Sequence, residues 1–270
     1  MLKLGLIGAK LGHSLSPEVQ QAIMEKSSVS GEYALYEVPE ETAKNIKTWI
    51  KERELLGINV TIPYKEHVLE CADVLSEEVK SIGAANTLFC QNEKLYAYNT
   101  DYLGFIQMFK RGNVVMEGKE VVVLGNGGAA RSAIYGAFTA GAKKIMVVGR
   151  SEEKSTQLKE KFPYIETVDF EHIQGGDIII NTTPVGMYPN TGKSVVDTTV
   201  LQQFLVAVDM VYNPLKTEFL KLAEKEGLQI ITGLSMLIDQ AVAAQNIWRN
   251  TDLDYEIGNT ILNDLEKRFI

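Results

Sequence analysis

The chain has 270 residues, of which 45% are hydrophobic and 23% charged, with a formal net charge of -8. This length suits two modest domains, each with its own core. The negative balance disfavours nucleic acid and anionic membrane surfaces as partners, although a locally basic pocket can still hold an anionic ligand. Cys71 and Cys90, the only cysteines, form neither a disulfide framework nor a metal spacing and read as free thiols of a reducing cytosol. The first eight residues read as a buried strand rather than a signal peptide. No apolar stretch reaches the roughly 20 residues of a bilayer span. The expected location is therefore cytoplasmic.

In chain order, strands are predicted at residues 4–7, 33–38, 58–61, 87–90 and 95–98, with helices at 17–26, 40–53 and 64–72. Ser16 before Pro17 reads as an N-cap with proline at the first helical position. The alternation predicts an α/β layer domain. From Lys119 onward, β-branched runs at 121–124, 145–148, 177–180, 206–210 and 229–231 alternate with helical segments such as 129–140 and 152–161. Continuous apolar strands of this kind suit a parallel sheet buried on both faces, a doubly wound arrangement. Long helices are predicted at 234–248 and from Tyr255 to Phe269. The change of domain is expected near 101–119, through a helix.

The turn Gly125-Asn126-Gly127-Gly128-Ala129-Ala130 follows a predicted strand and opens a predicted helix. Gly125, Gly127 and Ala130 match the dinucleotide fingerprint: a tight turn, close approach of backbone to a pyrophosphate, and close helix–strand packing. Backbone N–H groups at the helix start then face the phosphates. The rival is a glycine-rich βα turn that binds nothing. The next strand ends Val148-Gly149-Arg150-Ser151, where an NAD enzyme would carry an acidic residue. A guanidinium there can pair with a 2′-phosphate, which favours NADP. Otherwise Arg150 is an exposed loop charge beside a Ser151 helix cap.

The first half carries Asn59-Val60-Thr61-Ile62-Pro63-Tyr64-Lys65 and Asn99-Thr100-Asp101. Lys65 is a candidate general acid/base and Asp101 its orienting carboxylate. Moving a hydride to or from a secondary alcohol requires a matching proton transfer at its oxygen. The rival for Lys65 is a solvated residue at a helix start. Asn59, Thr61, Asn86, Thr87 and Asn99 recur at predicted strand ends, where α/β proteins bind ligands.

Along nearly its whole length the chain resembles the shikimate dehydrogenase family. The matching stretches are Ser14-Leu15-Ser16-Pro17, the Asn59–Lys65 run, Gly83-Ala84-Ala85-Asn86-Thr87, residues 99–104, 125–131 and 181–187, Asp209-Met210-Val211-Tyr212-Asn213-Pro214, and residues 233–240. The resemblance implies an NADP-linked, reversible reduction of 3-dehydroshikimate to shikimate on the route to the aromatic amino acids. It implies an α/β fold of two domains joined by helices: an N-terminal α/β substrate domain and a Rossmann-like, doubly wound cofactor domain. The substrate domain would span 1–101 plus 236–270 and the NADP domain 102–235, with the active site in the cleft between them. Lys65 and Asp101 become the catalytic pair. Ser14, Ser16, Asn59, Thr61, Asn86, Tyr212 and Gln240 become substrate-binding residues. Gly125, Asn126, Gly127, Gly128, Ala129, Arg150, Thr182, Met210 and Gly233 lie along the cofactor, with Met236 near the nicotinamide. Capping for Ser14 and Ser16, and a plain surface glutamine for Gln240, are the alternatives. The expected partner is the small-molecule substrate, with no metal, in a monomer or homodimer.

The chain departs from the family in four places. Gly149 and Ser151 flank Arg150 where an Asn-Arg-Thr run is usual. Asn126 replaces a common alanine, Tyr96-Ala97-Tyr98 leads into Asn99, and Gln245 stands where an aromatic is common. His13, His67 and His172 form no metal spacing, and His13 sits beside the serine turn. Two rivals remain on sequence grounds, a quinate/shikimate dehydrogenase using NAD and a nucleotide sensor without turnover.

Overall fold

The computed structural model describes residues 1–12 and 14–268, so His13 and Phe269 lie outside the described residues. The chain divides into two compact units. One holds Met1–Gly104 and Leu237–Asn263, and the other holds Phe105–Met236 and the residues from Asp264.

The first unit contains β1 (Leu2–Gly8), α1 (Ser16–Lys26), β2 (Gly31–Glu37), α2 (Glu40–Ala43), α3 (Ile46–Glu52), β3 (Gly57–Val60), β4 (Val74–Leu75), α4 (Glu77–Ile82), β5 (Thr87–Gln91), β6 (Lys94–Tyr98) and the start of α5 (Asp101–Arg111). Its sheet runs β2-β1-β3-β5-β6-β4. The β1 strand is parallel to β2 and β3, whereas β5 is antiparallel to both β3 and β6. Alternate strand residues fill two cores. Ile7, Ile58, Val60 and Leu88 face one, and Leu4, Leu6, Tyr33 and Phe89 face the other with Trp248.

The second unit contains β7 (Glu120–Leu124), α6 (Gly128–Thr139), β8 (Lys144–Val148), α7 (Glu152–Lys161), β9 (Ile165–Val168), β10 (Ile178–Asn181), α8 (Thr198–Leu201), β11 (Val206–Asp209), α9 (Glu218–Lys225) and β12 (Gln229–Ile231). Its six strands are all parallel, in the order β12-β11-β10-β7-β8-β9. Val121 and Val123 bury against one face, Val122 and Leu124 against the other. Burial on both faces explains the unbroken apolar runs. The strand order reverses between β7 and β10, the switch point at which doubly wound sheets bind ligands. The last helices are α10 (Leu234–Arg249) and α11 (Ile257–Glu266).

Three local expectations change. The helix expected over 40–53 is two helices, α2 and α3. Asn45 separates them and its amide donates to the Glu41 carbonyl at 3.1 Å, a local bond that competes with the helical ladder. The helix expected over 64–72 is only a 3-10 turn at His67–Cys71. The Lys65 carbonyl, which an α-helix would use internally, accepts instead from the Ala85 N–H at 2.8 Å. Third, Ser16 is the first residue of α1 rather than its N-cap. Leu15 holds the cap position, and the Ser14 hydroxyl accepts from the Ser16 N–H at 3.2 Å.

Candidate active site

Lys65 follows β3 and Asp101 opens α5. Lys65 Nζ donates to Asp101 Oδ2 at 2.5 Å, with the two side chains 29% and 16% exposed, so both remain within reach of a ligand. Asn86, just before β5, donates to Asp101 Oδ1 at 2.8 Å and to Thr100 Oγ1 at 3.0 Å. Its own Oδ1 accepts from the Thr100 N–H at 2.6 Å and from Thr87 Oγ1 at 3.0 Å. Asn99 accepts from the Asp101 N–H at 3.1 Å and donates to the Ala84 carbonyl at 2.9 Å. The carboxylate is thus fixed from both sides, and its second oxygen is directed at the lysine.

Gln240 of α10 is buried, not a surface glutamine. Its Oε1 lies 3.5 Å from Asn86 Nδ2 and 3.4 Å from Thr100 Oγ1, long contacts that a ligand hydroxyl can displace. Asn59 has no such spare capacity. Its Oδ1 accepts from Gln20 at 3.3 Å and Tyr33 at 2.8 Å, while its Nδ2 donates to the Asn86 carbonyl at 3.1 Å and Thr87 Oγ1 at 3.0 Å. An asparagine has two donors and two acceptor lone pairs, so Asn59 is saturated and stands behind Asn86 as a brace.

Ser14, in the loop between β1 and α1, and Ser16, the first residue of α1, are half-buried, and Thr61 directly follows the adjacent β3. The Thr61 N–H donates to the Ile7 carbonyl at 3.0 Å. A Cβ on Gly8 would lie 2.7 Å from Thr61 Cγ2, so glycine there admits the threonine. Thr61 therefore stands at the carboxyl ends of β1 and β3, where the Lys65 segment begins. Tyr212 belongs to the second unit, and burial pushes its phenol up.

In the second unit the predicted cofactor residues gather at the carboxyl ends of five parallel strands. Gly125 follows β7, Arg150 follows β8, Thr182 follows β10, Met210 follows β11 and Gly233 follows β12. Gly125 has φ +114°, and a Cβ would lie 2.7 Å from Thr182 Oγ1. Only glycine meets both conditions. A Cβ on Gly127 or Gly128 would meet nothing within 4 Å, and both residues, with Ala129, stand at the N-terminus of α6 with open space around them. That open, donor-rich helix start fits a dinucleotide diphosphate. Thr182 spends its hydroxyl on the Leu124 carbonyl at 2.8 Å, tying the loop after β10 to the glycine turn. The Gly233 backbone approaches so closely that a Cβ would lie 2.5 Å from the Met210 carbonyl.

One group escaped the sequence reading. Asp209 is 0% exposed, and burial pushes its carboxyl up to about 6. It accepts from Asn181 Nδ2 at 3.0 Å, the Val211 N–H at 2.9 Å and Thr217 Oγ1 at 2.5 Å. It thereby holds the loops after β10 and β11 together. Its signal was an aspartate closing an apolar strand, inside a stretch already matched to the family.

A family model described as a shikimate dehydrogenase substrate binding domain matches residues 6–88, and one described as shikimate / quinate 5-dehydrogenase matches residues 108–212. The chain is 44% identical over 267 residues to a shikimate dehydrogenase (NADP(+)) of Clostridium perfringens strain 13, covering 98% of each sequence. A chorismate mutase/shikimate 5-dehydrogenase fusion protein from Clostridium acetobutylicum superposes with a TM-score of 0.92 at 39% identity, over 100% of this chain and 98% of that one. Shikimate 5-dehydrogenase from Thermus thermophilus, solved in complex with NADP(H) and shikimate, superposes with a TM-score of 0.89 at 30% identity over 100% of both chains. A parallel switch-point sheet, a lysine–aspartate pair in the other unit and relatives matching nearly end to end agree: the chain belongs to the shikimate dehydrogenase family.

Proposed function

We propose that the chain reduces the ketone of 3-dehydroshikimate to shikimate, reversibly and with NADPH, on the route to the aromatic amino acids. The observation that carries this reading is the Lys65–Asp101–Asn86 cluster, with Gln240 against it, in a family of NADP-named relatives. Bound NADPH supplies the hydride. Gly127, Gly128 and Ala129 offer it backbone N–H groups at the α6 N-terminus, and Arg150 offers a guanidinium to its 2′-phosphate.

Lys65 delivers a proton to the carbonyl oxygen as charge builds there, and takes one from the hydroxyl in the reverse direction. Asp101 fixes the direction of the lysine N–H and accepts from a neighbouring ring hydroxyl. Asn86 and Gln240 hold ring hydroxyls by exchanging their long mutual contact for ligand bonds. Ser14, Ser16 and Thr61 donate hydroxyls to the substrate carboxylate. Asn59 supports Asn86 from behind rather than touching the ligand.

The direct test is nicotinamide turnover by the purified chain, with shikimate or quinate crossed against NADP or NAD. Turnover dominated by shikimate with NADP is expected. Faster turnover with quinate or NAD would overturn the substrate or cofactor assignment, and nucleotide binding without turnover would make the chain a sensor.

A further inference from the structure

Asn126 lies within the glycine turn, yet its side chain points away from the turn's open face. Its Nδ2 donates to the Ser151 carbonyl at 2.8 Å and to Ser155 Oγ at 3.1 Å. Both donors of that amide are therefore spent on the segment after β8. The same side chain lies over Gly149, where a Cβ would sit 2.1 Å from Asn126 Nδ2 and 2.4 Å from its Cγ. Asn126 thus packs on the residue before Arg150 and hydrogen-bonds the residue after it. The Gly125 N–H donates to the Val148 carbonyl at 2.7 Å, so a backbone bond joins the two turns one residue earlier on each side. Arg150 itself is exposed, and no carboxylate pairs with it among the described residues. The guanidinium is free for a ligand anion while its backbone is pinned on both sides by one amide.

We propose that Asn126 is a positioning residue for cofactor selection, setting the Gly149-Arg150-Ser151 turn so that Arg150 meets the 2′-phosphate of NADP. The proposal rests on the assignment of Arg150 to that phosphate. Two features make the coupling specific. Gly149 leaves the space that the Asn126 side chain fills, so the two positions work as one unit. The Ser151 carbonyl that accepts from Asn126 also accepts from the Ser155 N–H at 3.0 Å, so the clamp acts on the first turn of α7. Without the amide, the turn keeps only the backbone bond at Val148, its side-chain anchor to the phosphate loop is lost, and Arg150 must be ordered anew at each binding event. NAD has no 2′-phosphate and is indifferent to that ordering.

The test is a double-mutant cycle on the intact chain, with Michaelis constants for NADP and NAD measured for the parent, N126A, R150A and N126A/R150A at saturating shikimate. N126A should raise the constant for NADP by about five- to tenfold, as expected for a lost hydrogen-bonded tether, and the constant for NAD by less than about twofold. In the R150A background the same substitution should change the NADP constant by less than about twofold, because its effect runs through the arginine. Equal rises for both nucleotides, or full additivity with R150A, would overturn the proposal. If R150A shifts the NADP preference and N126A does not, only the role of Asn126 falls. If R150A shifts nothing, the phosphate assignment falls, and this proposal with it.

Discussion

Lys65 is held by Asp101 at 2.5 Å, and its backbone carbonyl is held by Ala85, so the residue is anchored at both ends. A proton-transfer group in that setting predicts a particular kinetic signature. Lys65→Ala should lower kcat by about a hundred- to ten-thousandfold, the usual range for a lost general acid. The Michaelis constant for shikimate should move far less, and steady-state kinetics with saturating NADP would decide it. A raised constant with unchanged kcat would make Lys65 a binding residue instead. Gly149 supports a second prediction, on stability. A methyl at that position runs into Asn126, so Gly149→Ala should destabilise by about 1–3 kcal/mol, as overpacking does. In N126A/G149A the methyl occupies vacated space, and much of the loss should return. Urea unfolding of the parent, N126A, G149A and N126A/G149A measures this, and a Gly149→Ala protein as stable as its parent would contradict the packing.

At the scale of elements, the sequence was most legible where periodicity and buried β-branched runs coincide. The strands after Lys119 announced themselves because both faces of the sheet are buried. Short elements fixed by tertiary contacts were harder to read. The α4 helix (Glu77–Ile82) escaped notice, although Ser76 precedes two glutamates and Gly83 adopts the left-handed φ of +70° that closes a helix. Over 64–72 the composition is helical, but a bond from Ala85 to Lys65 outweighs it. The Lys65–Asp101 pair was legible from its company of amides and hydroxyls and from the family resemblance. The saturation of Asn59 was not, because its four partners come from three separate segments of the chain.

Asp209, another tertiary effect, predicts a pH dependence. Its folded carboxyl titrates near 6 against 3.8 for the free group, because burial penalises the charge. Between those values the native state binds the extra proton, so this residue makes stability fall as pH rises from about 4 to about 6, and then level off. The rise from 3.8 to about 6 corresponds to about 3 kcal/mol. Carboxylates held down by partners, such as Asp177 beside the Glu120 N–H and Lys119, act in the opposite sense and lose stability as pH falls. The difference between the parent and Asp209→Asn isolates the buried group. Relative to the variant, the parent should lose about 2–3 kcal/mol of unfolding free energy between about pH 4 and about pH 6.5. A difference that does not vary with pH would show that Asp209 titrates normally.

For the whole molecule, the two units divide the candidate site residues by their sheets. The all-parallel sheet places glycine turn, arginine and threonine at the carboxyl ends around its switch point, whereas the mixed sheet places lysine, aspartate and amides around β3, β5 and α5. Each ligand should then leave its own footprint. A ligand that binds only the folded state stabilises it, by about 2.7 kcal/mol at a hundredfold excess over Kd. NADP alone should slow amide hydrogen exchange chiefly across residues 124–130 and 149–155, including the first turns of α6 and α7. Shikimate alone should act chiefly on residues 59–65, 86–101 and the part of α10 around Gln240. These footprints follow from where the hydrogen-bonding capacity lies: Gly127 and Gly128 stand open in one unit, and the long Asn86–Gln240 contact is exchangeable in the other. Exchange measured with each ligand singly would separate them. Protection of residues 86–101 by NADP alone, with none over 124–130, would reverse the assignment of ligands to units and remove the basis for placing proton transfer at Lys65.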